Sequence, residues 1–206
     1  YDTSIDMKDG GSLANVLIDG VVADPSLSYT STAIVTAVDF PWVNSSISIT
    51  TLPLQGTIAS KVTLDASIKY ILNSSYIVKD GGELVIPAGT KIQAESGGTD
   101  VYIAILKGGK IDVQGTATNP VVMSSVNAKS GDWGGLTICG DASTSAGMDA
   151  QAEVGGFIYG GSNDADNSGS IKYLVIKGTG AQINADSQYN GISLYAVGSG
   201  TTIENI

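Results

Sequence analysis

Apolar and polar residues alternate in short bursts along this chain, and Gly-rich turns separate the bursts. Residues 131–178 show it most plainly. β-Branched runs at Leu136–Ile138, Phe157–Tyr159 and Ile171–Ile176 are divided by turns built from Gly, Ser, Asn and Asp. Strands this short cannot each bury a sheet face alone, whereas rungs stacked on one another can. No stretch sustains a helical period, so the pattern predicts an all-β chain with almost no helix.

From about Thr57 the pattern becomes regular. The segment Tyr76–Ile86 is echoed by Ala104–Val113: each has an apolar run, a Gly-Gly turn and a strand with apolar residues at every second position. The two Gly pairs lie 27 positions apart, which sets Leu84 and Ile86 in register with Ile111 and Val113. Period-2 alternation places these four inside. Further strands are expected at Val121–Ser124, Leu136–Cys139, Ile158–Tyr159, Leu174–Ile176, Ile192–Leu194 and Thr202–Asn205. Their inward candidates are Val122, Leu136, Ile138, Leu174, Ile176, Ile192, Leu194 and Ile203.

The expected architecture is a right-handed parallel β-helix over residues 57–206, the hand following from the preferred sense of parallel crossovers. An antiparallel sandwich also has many short strands, but two-residue hairpin turns between matched strands are scarce here. Residues 1–56 alternate less regularly, with runs at Ala33–Val38 and Ser46–Thr50 interrupted by Pro25, Pro41 and Pro53. They read as a small β-rich N-terminal cap or module, since an uncovered strand edge recruits other chains. Lys8-Asp9-Gly10-Gly11 repeats Lys79-Asp80-Gly81-Gly82 and hints at an earlier start to the rungs.

Composition narrows the function classes. The chain carries a formal charge of −10, with ten lysines, no arginine and no histidine. Nucleic acid and anionic lipid are poor partners for it, because binding them relies on cations that neutralise phosphates. Charged residues make up only 15% and Gly numbers 27, a balance that fits a β-rich extracellular protein. Cys139 is the single cysteine, so an internal disulfide is impossible, and its apolar run Leu136-Thr137-Ile138-Cys139 points to a buried thiol. No run of about 18 apolar residues predicts a transmembrane segment.

The phrases Gly82–Thr90, Gly115–Val122, Gly131–Leu136, Tyr159–Gly169 and Gly198–Glu204, with Tyr70-Ile71-Leu72 ahead of them, fall in a matching order over roughly 150 residues. In these the chain resembles a family of secreted right-handed parallel β-helix proteins common in Bacteroidetes and some marine Proteobacteria. The resemblance implies a cell-surface or lipoprotein-like setting and says little about activity. It also implies further rungs after Ile206, where this chain stops in a strand-like segment. The expectation is a fragment, or a last rung covered by another chain.

Candidate chemistry is sparse. Lyases acting on uronates need a base, commonly Arg or Lys, with cations against the developing charge, and an acidic surface repels such a substrate. Glycosidases need two carboxylates about 5–10 Å apart, for which Asp132 with Asp141 or Asp164 with Asp166 are the candidate pairs. Asn163-Asp164-Ala165-Asp166-Asn167-Ser168-Gly169 resembles the start of a calcium loop, so Asn163, Asp164 and Asp166 are the tentative Ca2+ ligands. The alternative is a solvated turn held by Asx hydrogen bonds. Trp133, between Gly-Asp and Gly-Gly, is the tentative sugar-stacking residue, against a structural role covering the side of a coil.

These features predict a non-enzymatic extracellular or outer-membrane surface protein: an adhesin, a glycan-binding scaffold or an assembly subunit. Its expected partners are a surface glycan, or like subunits through the exposed C-terminal rung at Thr202–Ile206. The alternative is a polysaccharide-active enzyme with its site beyond this chain or between subunits. A binding module should show a polar or aromatic stripe along one flank, and an enzyme a cleft of converging carboxylates or a metal.

Overall fold

Strands of three to five residues with one apolar face need neighbours above and below, and the chain supplies them by coiling. The computed structural model describes residues 51–206 apart from Val154 and Asp186, together with the strand residues Leu17, Ile18, Val21 and Val22. The chain divides into two compact units, Tyr1–Ser48 and Ile49–Ile206. In the first, β1 (Leu17–Ile18) pairs antiparallel with β2 (Val21–Val22). The strands expected at Ala33–Val38 and Ser46–Thr50, and the Lys8–Gly11 repeat, lie outside the described residues.

The second unit is a parallel β-helix of five turns. Its first turn holds β3 (Thr51–Ile58) and β4 (Lys61–Thr63), and the second holds β5 (Lys69–Val78) and β6 (Glu83–Pro87). The third holds β7 (Lys91–Ala94), β8 (Ile103–Ile105) and β9 (Lys110–Gln114). The fourth runs through β10 (Val121–Ser125) and β11 (Leu136–Cys139), then a side hairpin of β12 (Ala150–Gln151) and β13 (Ile158–Tyr159), and closes with β14 (Gly169–Lys172). The fifth holds β15 (Leu174–Lys177), β16 (Ile192–Tyr195) and β17 (Thr202–Glu204).

Stacking makes three parallel sheets. The first contains the starts of β3 and β5 with β7, β10 and β15; the second, their ends with β8, β11 and β16. The third is β4-β6-β9-β14-β17. The Gly-pair repeat sets the register expected of it: Leu84 lies beside Ile111 and Ile86 beside Val113, all fully buried. Leu72, Ile92, Met123, Ile105, Ile138 and Ile171 extend this column of interior side chains, each contributing about 1.5–3 kcal/mol by leaving water.

Several expectations need correction. Among the described residues β3 already pairs with β5 from Thr51, ahead of Thr57, where the sequence pattern becomes regular. Val122 is not the inward residue of its strand: pairing sets it beside exposed Lys91 and sets Met123 beside buried Ile92. The run Ile171–Ile176 is two strands, not one. It breaks at Tyr173, whose φ of +48° turns the chain from the third sheet into the next turn's first sheet. Ile158–Tyr159 is not a rung but half of the antiparallel side hairpin.

Leu194 and Ile203 stand in register with fully buried Ile138 and Ile171, yet are 45% and 36% exposed. Their register is interior, but among the described residues no further turn covers them. Ile176 and Ile192 in the same turn are half-buried and pack against the core.

The side hairpin folds over the outer face of the second sheet. That face is made of small residues, Ala104, Thr137 and Ser193, which are in register and buried. Lys107 clamps the base of the hairpin. Its Nζ lies 2.9 Å from Asp149 Oδ1, 2.9 Å from the Gly160 carbonyl and 3.0 Å from Asp141 Oδ1. The hydrogen bonds that Lys107 donates to Asp149 and Asp141 raise the lysine pKa above its ordinary value. Beneath the hairpin Cys139 is fully buried, and burial pushes its thiol up to about 11, as expected of an inert cysteine.

Two outcomes follow from this packing. A Cβ on Gly109 would stand 2.7 Å from the Val78 carbonyl oxygen and 3.0 Å from those of Leu106 and Lys79. Gly109→Ala should therefore cost about 1–3 kcal/mol in denaturant unfolding. Gly81→Ala, where φ is +77° but the nearest atom is 3.5 Å away, should cost only the backbone term of about 1 kcal/mol. Separately, Lys107→Met should loosen the hairpin and raise the rate of Cys139 labelling about fivefold, the effect of losing about 1 kcal/mol of local protection. An unchanged labelling rate would remove Lys107 from that role.

Candidate functional site

The turns between the first and second sheets run to eight or more residues in the third, fourth and fifth coils, and they stack on each other. Gly98 N–H donates to the Asp132 carbonyl at 2.8 Å, Gly131 N–H to Thr179 O at 2.8 Å, and Ala181 N–H to Trp133 O at 3.2 Å. Trp133 plugs this corner. It is fully buried in the core, and its Nε1 donates to the Lys177 carbonyl at 2.9 Å. The sugar-stacking role expected for it is corrected: no ring face is open to a ligand.

Asp132 is also buried here. Burial alone would raise its pKa, but the Ser96 hydroxyl at 2.9 Å and the Lys129 amide help to hold it below the ordinary value. Asp141 follows β11 at the opposite corner and is paired with Lys107. The two expected partners of a glycosidase pair thus sit at different corners with different partners of their own.

The Asn163–Gly169 turn is closed by its own hydrogen bonds. Asp164 Oδ1 accepts from the Ser143 amide at 2.9 Å and from the Ser143 hydroxyl, and both hold its pKa below the ordinary value. Asp166 Oδ2 accepts from Ser168 Oγ at 2.8 Å, and Asn163 N–H donates to Asp141 O at 3.0 Å. These serine bonds occupy one oxygen of each carboxylate, Asp164 Oδ1 and Asp166 Oδ2. Among the described residues no group of three or more His, Cys, Asp or Glu is placed to hold a metal.

What the sequence reading missed is an aromatic flank. Tyr102, at the end of a first-corner turn, stacks on Tyr189 from the fifth coil with ring centroids 5.6 Å apart, and meets Phe157 of the hairpin at 5.8 Å. Gly134 lies between the tyrosines. A Cβ there would come within 2.9 Å of Tyr102 Cβ and 3.1 Å of the Tyr189 ring, so the Gly-Gly of the Asp132–Leu136 motif leaves room for this pair. Tyr159 of the hairpin meets Tyr195 of β16 at 4.9 Å. Tyr189 is buried; Tyr102, Phe157, Tyr159 and Tyr195 are half-exposed.

Beside this flank, between the hairpin and the 178–191 turn, lies a groove of about 370 Å3 lined by Glu153, Gln182, Asn184, Ser187, Gln188 and Asn190, with Ala185. Gln182 Nε2 donates to the Asn184 carbonyl at 2.9 Å. Gln188 and Asn190 of its lining flank Tyr189 in the chain; burial raises the Tyr195 hydroxyl pKa, and the Glu153 carboxylate adds to the rise. Burial, with the charges of Tyr102 and Asp100, pushes Tyr189 up to about 12. Amides, one hydroxyl and a carboxylate beside half-exposed tyrosines form a surface suited to hydroxyl-rich rings. Glu153 is the sole carboxylate among the described lining residues. The single sequence signal was the count of nine tyrosines, whose spacing does not reveal that distant turns bring several together.

The depressed carboxylates set an acid dependence. Asp132 and Asp164 have folded pKa values below the ordinary 3.8, so the unfolded chain binds protons first as pH falls. Their stabilisation is present above that ordinary value and is lost as pH drops through the folded values. Melting temperature should fall in this acid range, and Ser143→Ala should flatten the fall by returning Asp164 towards its ordinary titration.

No curated protein and no solved structure matches the chain. The sequence pattern defining the pectate-lyase-like β-helix domains matches residues 56–206, the segment in which the five coils stack. The chain therefore belongs to the family of pectate-lyase-like β-helix domains.

Proposed function

We propose that this chain is a non-catalytic extracellular or cell-surface β-helix that binds a glycan in the groove beside its aromatic flank. The observation that carries the reading is the amide-lined groove whose Gln188 and Asn190 flank Tyr189 of the Tyr102–Tyr189 stack. Hydroxyl-rich rings offer apolar faces for stacking and edges that both donate and accept hydrogen bonds. A rigid ladder beneath the site limits the ordering cost of binding. The low content of charged side chains and the abundance of Gly support an extracellular setting.

The family's likeness to pectate lyases favours a second reading, a polysaccharide-active enzyme whose site is completed beyond this chain or between subunits. Against a complete site in this groove stands its single carboxylate among the described lining residues, since acid–base cleavage of a glycosidic bond uses two.

Affinity electrophoresis and titration calorimetry against soluble polysaccharides test the proposal. Tyr195→Ala should weaken binding about five- to tenfold, the loss of about 1 kcal/mol or more of stacked apolar area, with its melting temperature checked in parallel. Release of new reducing or unsaturated ends by the purified chain would instead support the enzymatic reading.

A further inference from the structure

Resting on the glycan-binding reading, we propose that the groove takes a neutral polysaccharide and excludes uronates. Side-chain amides of Gln182, Asn184, Gln188 and Asn190 dominate the described lining. Gln182 Nε2 donates to the Asn184 carbonyl and Asn184 Oδ1 accepts from the Ser187 amide. An amide such as Gln188 or Asn190 carries both donor and acceptor, matching vicinal sugar hydroxyls, which themselves do both. The groove volume of about 370 Å3 falls in the range of about 300–1,000 Å3 typical of small-ligand sites, enough for a short stretch of chain.

A uronate brings an acceptor-only carboxylate that must keep its charge solvated or meet a cation. The described lining offers no lysine, and the chain has no arginine or histidine. Glu153 meets the incoming carboxylate with like charge. Lys107, on the far side of the hairpin, is already held by Asp141, Asp149 and the Gly160 carbonyl. The cations on another face belong to a separate groove of about 350 Å3, where Lys69 and Lys91 stand in register beside Ser67 and Asn119.

Titration calorimetry with the full chain, using a neutral β-glucan or mannan and then polygalacturonate, tests this. Neutral binding should change little over a tenfold range of salt, and Asn190→Ala should weaken it about three- to tenfold, the worth of a lost hydrogen-bonding amide. Polygalacturonate should show no groove binding, and Glu153→Lys should create it while leaving the fold intact. Polygalacturonate binding that survives both Asn190→Ala and Tyr195→Ala is off the groove and agrees with the inference. Wild-type polygalacturonate binding that Asn190→Ala abolishes overturns the selectivity and leaves glycan binding standing. Failure of every glycan of either class to bind overturns both.

Discussion

Everything in the described helix depends on the parallel hydrogen-bonded ladder between successive coils. A coil of three short strands encloses too little apolar surface to hold itself together, so its stability comes from neighbours that repeat its register. The pairing of Leu84 with Ile111, and of Ile111 and Val113 with Gly169 and Ile171, keeps interior positions in columns. A shift of one residue would turn each column outward. This is why Val122, apolar though it is, faces away: its neighbour in the ladder is Lys91.

The ladder constrains the strands and leaves the corners free to vary. Between the second and third sheets the early corners are tight Gly-Gly turns, because the Gly109 position lies against backbone oxygens of the previous coil. In the fourth coil the same corner opens into the 140–168 excursion, which returns across the second sheet. Small residues at Ala104, Thr137 and Ser193 admit it, and the Lys107 clamp holds its base. The long turns at the other edge of that sheet bring Tyr102 and Tyr189 up to meet it. The groove and its aromatic flank are thus products of two kinds of insertion on one rigid face, the usual way a solenoid gains a site.

The fold was legible in the sequence where the period was local. Leu84, Ile86, Ile111 and Val113 alternate within a few residues and repeat after one coil, so their burial and register could be read directly. Leu194 and Ile203 were correctly assigned to interior register, but exposure depends on what lies above them, which alternation does not encode. Ile158–Tyr159 has the same local pattern as a rung, and only the covered face of the second sheet makes it a hairpin. The site was hidden for a related reason. Tyr102, Phe157, Tyr189 and Tyr195 are spread over nearly a hundred positions, and coil lengths set by variable insertions decide which of them meet. Trp133 was conspicuous in sequence and proved to be core.

The most direct test of the account is amide chemical-shift mapping of the isotope-labelled chain during titration with a neutral oligosaccharide. The account predicts saturable shifts concentrated at Glu153, Gln188, Asn190 and Tyr195, with the third sheet and the Lys69–Lys91 face unaffected. Saturable shifts centred on Lys69 and Lys91, or none at any sugar concentration, would contradict it.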